Sequence, residues 1–153
     1  MAIITYSKRK NGNEKLSANF KVKEFACKDG TDLLKIDDKL IEYLQTARNY
    51  FGTAIYITSA YRTISYNKKV GGASKSYHTQ GRAVDHHAKH KINLYDLARF
   101  YEKMGCKGII VYPNSNFVHI DTRDGKYFAI DYGKNRIEVV ETFKHCDCNC
   151  NLC

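Results

Sequence analysis

The chain carries two helix-period segments and several runs of strand-like alternation. "DDKLIEYLQTARNYFG", residues 37–52, puts Leu40, Ile41, Leu44 and Ala47 on one stripe, the spacing of an amphipathic helix. Asp37 is its expected N-cap and Gly52 its stop. "NLYDLARFYEKMG", residues 93–105, repeats the design with Asn93 as cap, an apolar face of Leu94, Leu97, Ala98 and Tyr101, and Gly105 as stop. Between them, the β-branched run "AIYIT" at 54–58 predicts a buried strand. "GRAVDHHA" predicts another, after a long connection with a short helix near Tyr66. "GIIVY" and "NFVHID" read as a hairpin across "PNSN". "YFAIDYG" and "RIEVVETF" read as a further pair joined near Gly133. Helices early and hairpins late predict an α+β fold: a mainly antiparallel sheet flanked by two main helices. Residues 1–19 read as an extended arm leading to Phe20, Val22 and Phe25, which are expected to dock on the core.

Composition adds limits to this outline. At 153 residues, 43% hydrophobic and with a single proline, the chain reads as one domain over residues 1–143, of which 1–18 form the arm. Residues 144–153 form a Cys-rich tail holding Cys146, Cys148, Cys150 and Cys153, while Cys27 and Cys106 read as core-filling thiols. No apolar run approaches the ~20 residues of a bilayer span. The first residues do not read as a secretory signal, so synthesis in the cytoplasm is expected. The net charge of +9 points to an acidic partner or neighbourhood, nucleic acid or a polyanionic cell wall, with a plain solvated surface as the competing reading. The lysines are scattered and form no nucleic-acid motif, which argues against specific nucleic-acid binding.

The candidate chemistry lies in "SKSYHTQGRAVDHHAKH", residues 74–90, with four of the six histidines gathered around Asp85. In "FVHID", alternation turns His119 and Asp121 to one face and Val118 and Ile120 to the other, with two residues spanning roughly 6.5 Å. The same parity sets Asp85 with Ala83 and His87, opposite Val84 and His86. Gly81 allows a sharp turn between His78 and Asp85. If the two strands are neighbours, His78, Asp85 and His119 converge. Two imidazoles and a carboxylate suit zinc with one open position. The competing reading of the same spacing is a solvated, histidine-rich loop. Arg62 in "SAYR" is a candidate for stabilising developing negative charge.

Four segments in order, "NFKVKEFAC", "ITSAYRT", "YNKKVGGASKSYHTQGRAVD" and "FVHIDTR", resemble the zinc D-Ala-D-Ala carboxypeptidase family, which includes peptidoglycan endopeptidases and phage endolysins. The family pattern S-x-H-x-x-G-x-A-x-D is complete as Ser76, His78, Gly81, Ala83 and Asp85. The resemblance implies one zinc ion held by His78, Asp85 and His119. It implies Arg62 as oxyanion stabiliser or holder of a substrate carboxylate, and Ser76 as a hydrogen-bonder of substrate or of a ligand. The implied reaction is hydrolysis of peptide bonds at or next to D-amino acids in cell-wall stem peptides or cross-links, of carboxypeptidase or endopeptidase type, in lysis or remodelling of the bacterial wall. The lack of a recognisable signal fits phage-type release better than export. Some branches carry a Glu three residues before the last ligand histidine. Asn116 stands there and cannot accept a proton from water, so Asp121 is the expected base, with orientation of a ligand histidine as its other role. Ala60 replaces a frequent Gly and His86 a usual apolar residue. His86, His87 and His90 are expected to form an exposed, pH-responsive patch, with a role for His87 in the cleft as the alternative. The alternative function is a non-catalytic zinc module that binds the wall or a protein partner.

Overall fold

The computed structural model describes residues 2–89 and 92–143. The Cys-rich tail and His90 lie outside the described residues. In chain order the elements are β1 (Ile3–Ser7), α1 (Lys8–Asn11), β2 (Leu33–Asp37), α2 (Asp38–Phe51), β3 (Ile55–Ser59), α3 (Ile64–Lys69), β4 (Ala83–Ala88), α4 (Leu94–Lys103), β5 (Gly108–Tyr112), β6 (Phe117–Asp121), β7 (Tyr127–Asp131) and β8 (Ile137–Val140). The fold is α+β, as the pattern predicts. A six-stranded sheet runs β3-β4-β6-β5-β7-β8. Every neighbouring pair in it is antiparallel except β5 with β7.

Both main helices begin and end where their caps dictate. The Asp37 carboxylate accepts the Lys39 amide at 3.1 Å, and Asn93 accepts the Tyr95 amide at 2.8 Å, each satisfying a donor that the first turn leaves orphaned. α2 stops at Gly52, which adopts the left-handed φ of 61°. Leu40, Leu44 and Ala47 of α2 and Leu97, Ala98 and Tyr101 of α4 bury their stripe against Val84, Val118, Ile120 and Ile109 of the sheet. Phe20, Val22 and Phe25 dock on the same core, as expected from their spacing. Cys27 and Cys106 are buried free thiols. Among the described residues no helix is long and apolar enough to cross a membrane.

Two features differ from the sequence reading. The stretch read as an extended arm contains β1, which pairs antiparallel with β2 from Ile3 opposite Asp37 to Ser7 opposite Leu33, making a second, two-stranded sheet. The last two strands also do not simply extend the hairpin. The chain leaves β6, passes to the far side of β5 and runs parallel to it as β7, entered by a 2.7 Å bond from the Tyr127 amide to the Lys107 carbonyl. Alternation reports which face a residue occupies but not which strand lies beside it.

The exposed histidine patch is corrected as well. His86 has no exposed surface. Parity puts it with Val84 on the helix-facing side of β4, where its Nε2 shares a 2.8 Å hydrogen bond with the Tyr101 hydroxyl of α4. Burial drives the ring's pKa down to about 3, so it sits in the core as a neutral group. His87, half-buried, lies against the Tyr56 ring at 5.7 Å. Removing only the Tyr101 hydroxyl leaves a buried ring nitrogen without its partner. Tyr101→Phe is therefore expected to lower stability by roughly 1–3 kcal/mol, read as a shift in the urea midpoint at unchanged m-value.

Candidate metal centre

Three segments converge on the sheet face opposite Val84, Val118 and Ile120. β4 and β6 pair with Asp85 directly across from His119, which puts both side chains on one face at cross-strand distance. His78 arrives from the 3-10 turn Tyr77–Gln80. Ser76 caps that turn, its hydroxyl accepting the His78 amide at 3.3 Å. Gly81 closes it at φ 74°, and a Cβ there would fall 2.5 Å from the Lys35 carbonyl oxygen. Only glycine meets both demands, so the sequence's sharp turn has its cause in the passage of β2 beneath it.

One ligand atom from each of His78, Asp85 and His119 lies within 4.8 Å of the others, and all three residues are buried. The His78 Nδ1 donates to the Ala60 carbonyl at 2.7 Å, which leaves Nε2 as the lone-pair nitrogen, 3.3 Å from Asp85 Oδ1. The His119 Nδ1 lies 2.8 Å from the same oxygen, and its Nε2 lies 3.0 Å from Asp121 Oδ2. Each imidazole thus offers one nitrogen to the shared space while its other nitrogen is held by a carbonyl or a carboxylate. That is the arrangement that fixes ring orientation around a metal. Two imidazoles and one carboxylate oxygen fit a zinc ion with an open fourth position.

The electrostatics also favour a cation. Burial opposes the charge of Asp85, but its contacts with His119 and, after it, His78 hold its carboxyl far below the usual range. Burial likewise pushes His119 down, yet Asp121 and Asp85 more than offset it and raise the ring to about 9. Two buried carboxylates flanking one imidazole stabilise positive charge between them.

Arg62 stands beside this group, with Nη2 on Asp85 Oδ2 at 2.8 Å and Nε on the Ser59 hydroxyl at 2.8 Å. Its backbone amide bonds the His78 carbonyl at 3.1 Å. Asp121 shares the face of His119, as alternation predicts, but it is fully buried. Its Oδ1 accepts the Arg123 amide at 3.1 Å and Nε at 2.7 Å, and its Oδ2 accepts Arg123 Nη2 at 2.5 Å. Burial raises its pKa, and the bonds from Arg123 and His119 overcome this to hold it at about 2.

Three residues of the site escape a reading by spacing. Arg123 carries no spacing signal by itself. Tyr112 lies on β5 at the parity that faces the site, stacked on Phe117 with centroids 4.3 Å apart. Burial, then the charge of Asp85, raises its phenol to about 12. Gly108 pairs with Asp121 across β5 and β6, and a Cβ there would sit 2.0 Å from the Asp121 carboxylate. The hairpin register, which alone would have exposed the last two, depends on the turn across Pro113–Ser115. Gly108→Ala forces the carboxylate off Arg123 and His119. It is expected to cost roughly 1–3 kcal/mol by overpacking, read in thermal unfolding of the metal-free protein.

Comparison with known proteins agrees with this geometry. Residues 16–121 match the Peptidase M15 family. The chain is 36% identical over 100 residues to the peptidoglycan L,D-endopeptidase MepK of Escherichia coli K12, covering 61% of this chain and 54% of the relative. It is 30% identical over 96 residues to the probable peptidoglycan L,D-endopeptidase MepK of Haemophilus influenzae, covering 58% and 51%. The chain thus spans about half the length of the curated relatives it matches. With the family matched from the N-terminal segment through the His-x-Asp strand, the chain belongs to the Peptidase M15 family.

Proposed function

We propose that this protein is a zinc peptidase that hydrolyses peptide bonds in bacterial peptidoglycan, at or next to D-amino acids. The observation that carries the reading is the buried His78–Asp85–His119 group, with both histidines oriented by a second partner. Similarity to two L,D-endopeptidases supports internal cleavage of stem peptides or cross-links over trimming of a terminal residue. The net charge of +9 suits a wall rich in phosphate and carboxylate.

His78, Asp85 and His119 would hold the ion, which supplies the Lewis acidity that activates a water and polarises a carbonyl. Arg62, fixed by Ser59 and Asp85, brings a guanidinium to the place where negative charge develops on the carbonyl oxygen. Ser76 shapes the turn that carries His78. Asp121 fits the second of its expected roles better than the first. Both its oxygens are engaged, it meets His119 at the nitrogen away from Asp85, and it has no exposed surface. It orients a ligand imidazole and does not face the open position as a base.

The second reading, a zinc module that binds the wall without cleaving it, is favoured by Asn116 standing where some relatives carry Glu. Metal analysis together with digestion of purified peptidoglycan separates the two. Wild type is expected to carry one zinc per chain and to release soluble muropeptides, and His119→Ala to lose both. Zinc without products selects the binding module, and no zinc after reconstitution removes both readings. Asp121→Asn is expected to lower zinc affinity about 10–100-fold, as loss of an orienting carboxylate does. Unchanged affinity with abolished turnover would restore Asp121 as the base.

A further inference from the structure

The two imidazoles of the site come from different elements, one from a short 3-10 turn and one from a central strand. Short turns are set by few bonds, so something must fix the turn against the strand if the ligand atoms are to keep their separation. Asp85, Asp37 and Arg82 each tie the turn to the strand or its end, and one further side chain reaches both the turn and the carboxylate behind His119. The Arg123 guanidinium grips both oxygens of Asp121, with Nε on Oδ1 at 2.7 Å and Nη2 on Oδ2 at 2.5 Å. Asp121 in turn holds His119 Nε2 at 3.0 Å. The same guanidinium lies 4.9 Å from the Tyr77 ring centroid and 4.8 Å from that of Tyr127. Tyr77 is the residue before His78, in the same turn, and carries Arg82 against its ring as well, at 5.4 Å.

We infer that Arg123 is the positioning residue of the metal centre. Through Asp121 it sets the ring plane of His119, and through Tyr77 it pins the turn that presents His78. The inference rests on the zinc reading above only for its consequence, since the contacts are between the protein's own side chains. The chemistry explains why an arginine is needed. A planar fork spans two carboxylate oxygens and offers a flat cationic face to aromatic rings, whereas a lysine ammonium is a single point charge that cannot satisfy both oxygens and both rings at once. Tyr127 backs the guanidinium from β7, so the strand that runs parallel to β5 supplies one wall of the clamp.

The test uses the full chain, wild type against R123M and R123K, with two measurements. In the metal-free protein, nitrogen-15 NMR of the His119 ring reads the proton between Nε2 and Asp121. Competition of zinc chloride against a fluorescent chelator reads affinity. A protected Nε2 proton is expected in wild type and its loss to exchange in both variants, together with a fall in zinc affinity of about 10–100-fold. R123K keeps the charge and guards against the chance that R123M does not fold. An unchanged Nε2 signal in either folded variant, or zinc affinity within twofold of wild type, overturns the clamp. Wild type that shows the protected proton yet takes up no zinc refutes the zinc reading instead, and the NMR comparison then decides the clamp alone.

Discussion

The buried charge of Asp85 is the constraint around which the rest is arranged. Taking a carboxylate out of water costs several kcal/mol unless it is paired and hydrogen-bonded. Asp85 is 6% exposed, and its two oxygens divide the task. One faces His78 and His119, and the other takes the Arg62 guanidinium. These partners come from the turn before β4, the strand beside it and the segment after β3. A fold that did not bring all three together would leave the charge stranded. The carboxylate therefore ties the central strands to the long connection between β3 and β4, which otherwise has little apolar surface to hold it.

Support for that arrangement is layered. Behind this group, Val84, Val118 and Ile120 pack β4 and β6 against the helices, which holds the strands that present Asp85 and His119 in register. Below the turn that carries His78, the Gly81 carbonyl accepts the Asp37 amide at 2.8 Å, and the Asp37 carboxylate takes the Thr122 hydroxyl at 2.6 Å while capping α2. One aspartate thus serves a helix start, the end of β6 and the turn of the site. The small sheet of β1 and β2 is what delivers it there.

The site also shows a division of labour between charged groups. Asp85 and Asp121 both flank His119, Asp85 on the side shared with His78 and Asp121 on the side where it is enclosed with Arg123. Arg62 adds a guanidinium beside this group, and Tyr112 on β5 lies near enough for the Asp85 charge to act on its phenol. On the proposed reading, that distribution suits a reaction in which negative charge must be stabilised, the two carboxylates holding and orienting the group.

Much of this is legible in the order of the amino acids alone. The two helices follow from apolar spacing and cap chemistry, which are local. The face shared by His119 and Asp121, and by Asp85 with Ala83, follows from alternation, also local. Even the burial of His86 is implicit in its parity with Val84, although its polar ring suggests solvent until Tyr101 supplies a partner. Partnership between distant segments is decided elsewhere. That β1 pairs with β2, that β7 runs parallel to β5, that Gly108 leaves room for Asp121, and that Arg123 reaches both Tyr77 and Asp121 depend on register and on strand order. Sequence determines the period and the chemistry carried on each face, because those depend on backbone geometry within a few residues. The tertiary structure decides which faces meet, because that is set by the joint burial of residues far apart in the chain.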